Sequence, residues 1–177
     1  MSPPMNSTMR IAQLLRVVGK VDGRKKLHKE VHILQELGCP FQERFEYSYY
    51  GMYSPELRQE VDSLIKDKLL REQAMPNYAN EVTYSVESTP QLANFLDQLS
   101  NLEKEPLWSS LAKRLNTLSP RMLEGISTIL FLCRRGLQGE ELKNRFEALK
   151  PHLASIYAKC ENEAKNLKAS QSQPVAA

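Results

Sequence analysis

The sequence predicts a mostly α-helical α+β protein, in which a winged-helix-like N-terminal half with a small β-hairpin wing packs against a C-terminal helical bundle. Apolar residues recur at helical spacing through most of the chain, whereas three short stretches before residue 89 have the pattern or composition of strands. In order, the N-terminal half contains two helices, a strand, a third helix and a terminal hairpin. This order favours a winged helix.

The length of 177 residues suits one domain or two closely packed halves. Its 41% hydrophobic and 25% charged residues are typical of an ordinary globular protein. Small and polar residues dominate both ends, which is typical of disordered termini. We therefore predict a disordered leader (1–9), a winged-helix-like module (10–88), a helical C-terminal half packed on it (89–168) and a disordered tail (169–177).

Apolar stripes predict the first two helices. Residues 9–18 place four apolar side chains at helical spacing, and Gly19 ends the helix. Asp22 is the predicted N-cap of a second helix, which ends at Gly38 and Pro40. Three cations lie largely off the apolar stripe of this second helix: Lys25, Lys26 and Lys29.

An aromatic strand and a third helix follow. From Phe45 to Tyr50 the side chains alternate with the period of a strand, which Gly51 ends. Ser54 offers a capping hydroxyl, and Pro55 suits the first position of a helix. The apolar residues of this third helix share one face, and its acids fall mostly on the other: Glu56, Glu60, Asp62 and Asp67.

The hairpin of the wing and a series of helices complete the predicted fold. Residues 69–72 and 81–86 are the predicted strands, joined by a loop that contains Pro76, Asn77 and Asn80. Helices are predicted to start near Pro90, Pro106, Pro120, Gly139 and Pro151. The helix after Ser119 and Pro120 is the most apolar, which predicts that it lies at the centre.

The sequence contains neither a membrane segment nor a signal peptide. No apolar run approaches the roughly 20 residues that cross a bilayer, and residues 1–10 lack an apolar core. Cys39, Cys133 and Cys160 are odd in number and widely separated, which argues against a disulfide framework and a thiolate metal site. We therefore expect a cytoplasmic protein with no membrane partner.

Three runs of sequence resemble a bacterial family. GRKKLHKEVHILQELG, YSYYGMYSPELRQEVDSLIKDKLL and LEGISTILFLCRRG before EALKPH resemble the YwgA-like proteins, from about Arg10 to His152. More distantly, a basic Lys-Leu helix, a Tyr-Gly turn with a Ser-capped helix and a late Lys-Pro resemble the Panacea domain of the SocA adaptor and related antitoxins. The resemblance implies a winged-helix-like α+β fold, no cofactor and a regulatory role. Panacea-like domains act by binding other proteins.

No catalytic constellation is evident, so we predict that the chain is not an enzyme and holds no cofactor. His28 and His32 have the spacing of two metal ligands, but no third ligand accompanies them, and packed or surface histidines are favoured. None of the three cysteines has a partnering base. Gly19 and Gly23 lack the spacing of a phosphate-binding loop.

Two binding hypotheses remain. The first is a non-catalytic regulatory module that binds a protein partner through the aromatic strand, the acidic third helix or both, with these candidate residues: Tyr47, Tyr49, Tyr50, Tyr53, Glu56 and Glu60. The alternative is a DNA-binding transcriptional regulator that contacts phosphates through the wing and a basic block: Arg24, Lys25, Lys26 and Lys29. The acids of the third helix would be repelled by DNA, which favours the protein partner.

Overall fold

Eight α-helices and five short strands form the part of the chain that the structure, a computed structural model, describes: residues 6–76 and 82–172. The N-terminal half contains α1 (Ser7–Val18), β1 (Lys20–Val21), α2 (Arg24–Glu36), β2 (Glu46–Ser48), β3 (Gly51–Tyr53), α3 (Pro55–Lys66), β4 (Leu70–Pro76) and β5 (Val82–Ser88). The C-terminal half contains α4 (Pro90–Asp97), α5 (Ser109–Thr117), α6 (Pro120–Arg134), α7 (Gly139–Leu149), a 3₁₀ helix (Pro151–Ile156) and α8 (Tyr157–Ser172). The fold is mixed α/β and rich in helix.

The strands form two small antiparallel sheets. In the first, the order is β1-β5-β4, so β5 is central, and the long β4–β5 ladder runs from Leu70 opposite Ser88 to Pro76 opposite Val82. In the second, β2 and β3 form a separate hairpin with Tyr47 opposite Met52. The second sheet lies between α2 and α3 in the sequence and packs on α2 and α6.

The buried core joins both halves through α2 and α6. The apolar face of α2 packs against α6, which also contacts α7 and α8. Gly125 in α6 makes the approach of α8 possible, because a Cβ there would lie 2.4 Å from Sγ of Cys160. The prediction that the helix after Pro120 is central is consistent with these contacts. None of the helices within the described ranges combines the length and hydrophobicity that a membrane crossing requires.

Local signals place the start of α3 and α6 where the sequence predicts. Oγ of Ser54 accepts a hydrogen bond from the Leu57 N–H at 3.2 Å, and Pro55 occupies the first turn. Ser119 caps α6 in the same way, with the Met122 N–H as donor at 3.2 Å. These starts are confirmed.

Four predicted helix boundaries are wrong. Asn6 caps α1 by accepting from the Thr8 N–H, so residues 7–9 of the predicted leader are helical. Asp22 does not cap α2, because the N-cap position falls on Gly23, which has no side chain to offer. At the C-terminal end, α8 continues through residues 169–172 of the predicted disordered tail. Pro106 lies in a turn, and α5 begins at Ser109.

The strand predictions need two corrections. The aromatic stretch is a hairpin of two short strands and not one strand, because the chain reverses at Tyr49 and Tyr50. Gly51 therefore begins β3, with a φ of +88° that favours glycine. The β4–β5 ladder is longer than the hairpin predicted for this region and includes Pro76, while Asn77 and Asn80 lie outside the described residues.

Candidate functional site

The turn between β2 and β3, which we call the tyrosine turn (Tyr49 and Tyr50), projects beside the start of α2. Tyr49 is 90% exposed and Tyr50 58% exposed, and their rings meet edge to face with centroids 5.1 Å apart. Nζ of Lys25 lies 3.8 Å from the centroid of the Tyr50 ring, a cation–π distance. This turn separates two clefts.

The first cleft, which we call the lysine cleft, has a volume of about 740 Å³. Its walls come from the start of α2, the tyrosine turn, the start of α6 and the end of α7. They consist of Lys25, Lys26, Lys29, Tyr47, Ser48, Tyr49, Tyr50, Pro120, Glu124, Leu149, Lys150, Pro151 and His152. Four lysines and one carboxylate therefore line a single cavity.

Three buried lysines line this cleft: Lys26, Lys29 and Lys150. Nζ of Lys29 donates to the carbonyl oxygen of Tyr50 at 2.7 Å and, more weakly, to that of Met52 at 3.5 Å. Nζ of Lys150 lies 2.7 Å from Oε1 of Glu124. A Cβ at position 51 would lie in ordinary van der Waals contact, 3.5 Å from Cε of Lys29 and 3.6 Å from Nζ of Lys150, which places the turn directly against both side chains.

Electrostatics in the lysine cleft are unbalanced. Burial lowers the pKa of Lys29 to about 8, Glu124 opposes this shift, and the charges of Lys150 and Lys25 add to it. Lys26 is also buried, and its Nζ lies 2.6 Å from the Asn116 carbonyl oxygen and 3.8 Å from a Glu30 carboxylate oxygen. The cavity thus carries an excess of positive charge.

The second cleft, which we call the wing groove, lies between the tyrosine turn and β5 and has a volume of about 840 Å³. Its lining includes Val82, Thr83 and Tyr84 of β5 together with Tyr50 and Tyr53. Tyr84 is 51% exposed and Val82 64% exposed. Residues 22–26 at the start of α2 also line the groove.

One relative identifies the family. Over 142 residues the chain is 32% identical to the protein named Uncharacterized protein YwgA of Bacillus subtilis (strain 168), and the alignment covers 78% of this chain and 82% of that protein. The chain belongs to the YwgA-like family. The resemblance inferred from the three sequence runs is confirmed, and the likeness to the Panacea domain stays a prediction. No family model and no solved structure matches the chain.

The paired histidines of this YwgA-like chain are packed inside the fold. Burial lowers the pKa of His28 to about 4 and that of His32 to about 3. Nδ1 of His28 accepts from the Ser54 N–H at 3.1 Å, and its ring stacks on Tyr53. Nδ1 of His32 lies 2.7 Å from Oγ of Ser127. Within residues 6–76 and 82–172, no group of three potential metal ligands is present.

The basic block at the start of α2 does not form an open surface in this YwgA-like chain. Lys26 is 8% exposed and Lys29 6% exposed, although the sequence places both largely off the apolar stripe. Arg24 binds the carboxylates of Asp62 and Glu72. Lys25 remains exposed. Lys26 and Lys29 are buried because α2 packs against several elements at once, so more than one of its faces is covered.

The acids of α3 are also placed differently from the prediction. Glu56 accepts from the guanidinium and the backbone N–H of Arg44, and Asp62 lies between Arg24 and Arg58. Glu60 is half-buried, and burial raises its pKa to about 7 with a further contribution from nearby carboxylates. The predicted acidic face is therefore solvated only in part, because Asp62 and Asp67 are exposed, whereas Glu60 is half-buried. The exposed residues of α3 include Arg58, Gln59, Asp62, Ser63 and Lys66.

The candidate protein-binding residues are only partly brought together. Tyr47 and Tyr49 line the lysine cleft, Tyr53 lines the wing groove and Tyr50 lines both. Tyr47 is half-buried, and its ring stacks on Phe131. Two of the predicted residues line neither cleft: Glu56 and Glu60.

Sequence analysis missed several residues of the site. Glu124, Lys150 and His152 lie more than 70 residues from the tyrosine turn, and no local pattern links them to it. The one available signal is the run EALKPH, which the family resemblance includes and which contains Lys150 and His152. Tyr84 belongs to a strand that was predicted, but its place beside Tyr50 depends on the tertiary fold.

Proposed function

We propose that this chain is a non-catalytic regulatory module that binds a protein partner in the wing groove. The observation that carries the proposal is that two exposed tyrosines from different hairpins, Tyr50 and Tyr84, line one groove. Tyrosine provides a large and rigid contact surface with a polar end, and such residues are enriched at binding hot spots.

The distribution of exposed apolar side chains supports a protein partner. Among the described residues, four of the six exposed large hydrophobic side chains line the two clefts: Tyr49, Tyr50, Val82 and Tyr84. The other two, Leu99 and Leu107, line neither cleft. Clustered apolar exposure is typical of interaction surfaces, whereas scattered residues need no explanation.

We further propose that the N-terminal half is winged-helix-like, with the β2–β3 hairpin inserted between α2 and α3. The order α1-β1-α2-α3-β4-β5 and the strand order β1-β5-β4 support this arrangement. In such a module β4 and β5 are the wing. The wing groove then lies between the wing and the inserted hairpin.

Site-directed photo-crosslinking tests the protein-binding proposal. A photoreactive phenylalanine analogue replaces Tyr84 in one variant and Leu107, which is 89% exposed, in the control. In cells that naturally make the protein, we expect one discrete crosslinked species at position 84 and none at 107. Tyr84→Ala should then lose more than 80% of this partner in affinity capture, while Leu107→Ala retains it. Equal capture by both variants, or no crosslink at position 84, contradicts the proposal.

DNA binding is the second candidate, and the exposed face of α3 favours it. Three of the four carboxylates that argue against groove insertion are paired with arginines or half-buried, namely Glu56, Asp62 and Glu60, and Arg58, Gln59 and Lys66 are exposed. Such a helix can approach a phosphate backbone. Lys26 and Lys29 are poor choices for a test, because both are buried.

Fluorescence anisotropy with a labelled duplex at 50 and 200 mM salt tests this candidate. If α3 contacts DNA, affinity falls steeply with salt, and Arg58→Glu and Lys66→Glu each reduce the salt slope by about one. Lys159→Glu, at an exposed position of α8, is the matched control and leaves the slope unchanged. Absence of binding at 50 mM salt excludes DNA as the ligand.

A further inference from the structure

The lysine cleft holds more buried positive charge than its carboxylate balances. Lys29 and Lys150 are 6% and 2% exposed, and Glu124 is the one acid in the walls of this cleft. Oε1 of Glu124 already lies 2.7 Å from Nζ of Lys150 and 3.5 Å from Nε2 of His152. A buried charge without a counter-ion is costly, so an anion in this cleft would be favourable.

The ammonium groups of Lys29 and Lys150 have further hydrogen-bond donors that can bind such an anion. An ammonium group has three N–H donors. Lys150 directs one of them to Glu124, and Lys29 has one short bond, to the Tyr50 carbonyl oxygen, and one long bond, to that of Met52. Both side chains line the cavity, where their remaining donors can reach a bound group.

The donor types favour a phosphate group. The walls contain four lysines and a histidine but no arginine. Lysine is a common phosphate ligand that acts as a point charge with three N–H donors, and an imidazole can donate a further hydrogen bond to a phosphate oxygen. Lys25, exposed at the mouth of the cleft, adds a further positive charge.

The mouth of the cleft offers an aromatic surface. Tyr49 is almost fully exposed, and Tyr50 stands beside it at a centroid distance of 5.1 Å. Exposed aromatic rings of this kind stack on planar heterocycles. The volume of about 740 Å³ falls within the range of small-molecule sites, about 300 to 1,000 Å³.

We propose that the lysine cleft binds a small phosphorylated ligand with a planar ring, a compound of the mononucleotide class. The phosphate lies near Lys29 and Lys150, and the ring packs against Tyr49. The two proposed sites adjoin, since Tyr50, Lys25 and Lys29 line both, but Tyr84 and Val82 line the wing groove alone and Lys150 and Tyr49 line this cleft alone, so variants at these positions separate the two proposals.

Isothermal titration calorimetry of the full chain tests the ligand class. The probes are AMP, GMP, ADP and GDP, with adenosine and guanosine as the matched compounds without phosphate. We expect at least one nucleotide to bind with a dissociation constant below 1 mM and its nucleoside to bind at least tenfold more weakly. Absence of binding by all four nucleotides at millimolar concentration overturns the proposal, as does equal binding of nucleotide and nucleoside.

Variants locate the ligand. Lys150→Gln should weaken nucleotide binding at least tenfold, and Lys159→Gln, an exposed lysine of α8, is the control that should not. Because Lys150 is buried and its loss can disturb folding, the exposed variants Tyr49→Ala and Lys25→Gln provide a second test. We expect each of them to weaken binding at least threefold. Unchanged affinity in both exposed variants overturns the assignment to this cleft, even if a nucleotide binds elsewhere.

Discussion

Helices α2 and α3 begin in opposite ways. The start of α3 has a capping serine, a proline in the first turn and Glu56, all of which suit the positive end of the helix dipole. The start of α2 has Gly23 without a side-chain cap, no acid in the first turn, and Arg24, Lys25 and Lys26 instead.

This difference indicates that the N-terminal end of α3 stabilises its helix, whereas the N-terminal end of α2 is suited to binding. Three cations at the positive end of a helix dipole are unfavourable, and both clefts lie at that end of α2. Residues that weaken a fold locally are a common feature of functional sites. Four predictions test the comparison.

The largest expected effect is at the carboxylate beside the buried lysines. Glu124→Ala leaves Lys150 buried without its partner, and we expect a loss of about 3 kcal/mol in the free energy of unfolding, measured with urea. The control is Glu105→Ala, whose carboxylate and its partner Lys113 are both exposed. Equal stability of the two variants would contradict the claim that the lysine cleft holds a buried positive charge that depends on Glu124.

The second effect is at the cap of α3. Ser54→Ala removes the acceptor of the Leu57 N–H in a fully buried position, and we expect a loss of about 1.5 kcal/mol. Ser119→Ala removes the same type of cap from an exposed position in α6, with a smaller expected loss of about 0.7 kcal/mol. The reverse order in thermal or urea unfolding would contradict the assignment.

The third effect depends on pH and tests whether the acids of α3 are solvated. The pKa of Glu60 in the fold is about 7, above its ordinary value of 4.5, so the stabilisation is complete below pH 4.5 and is lost as the pH rises through 7. We expect Glu60→Gln to match the original protein at pH 5 and to be more stable by about 1 kcal/mol at pH 8, after allowance for its partial exposure. The control is Glu140→Gln, at an exposed acid of α7, which we expect to give no gain in stability at pH 8. Equal stability at pH 8 would mean that Glu60 is solvated.

The smallest effect reverses the sign of a charge at the start of α2. Lys25→Glu should stabilise the protein by about 0.5 kcal/mol, because an acid suits the positive end of the dipole. In the last turn of α3, Lys66→Glu should destabilise it by a similar amount. A loss of stability in Lys25→Glu would show that Lys25 stabilises the fold.

Local chemistry explains what the sequence predicts correctly. The start of α3 depends on Ser54 and Pro55, which act within one helical turn, and the central place of α6 follows from its composition. The pairing of β2 with β3 was missed because alternation within one strand does not define its partner. The predicted N-cap of α2 was wrong because Gly23, and not its neighbour Asp22, occupies the N-cap position.

The candidate site depends on contacts between distant residues. Burial of Lys26 and Lys29 results from packing of α2 against elements that include α5 and α6, which a helical stripe does not reveal. Glu124 and Lys150 meet the tyrosine turn only in the folded chain. The tyrosines themselves were predicted from composition, because a cluster of them is unusual in a chain with 7% aromatic residues.

Chemical-shift mapping tests most directly the claim that binding occurs at the start of α2. In ¹⁵N-labelled protein titrated with ADP and GDP, we predict the largest amide shifts in residues 24–29, 48–53 and 150–152, and none on the exposed side of α3. Shifts confined to α3 or to the C-terminal helices, with the start of α2 unaffected, would contradict the account.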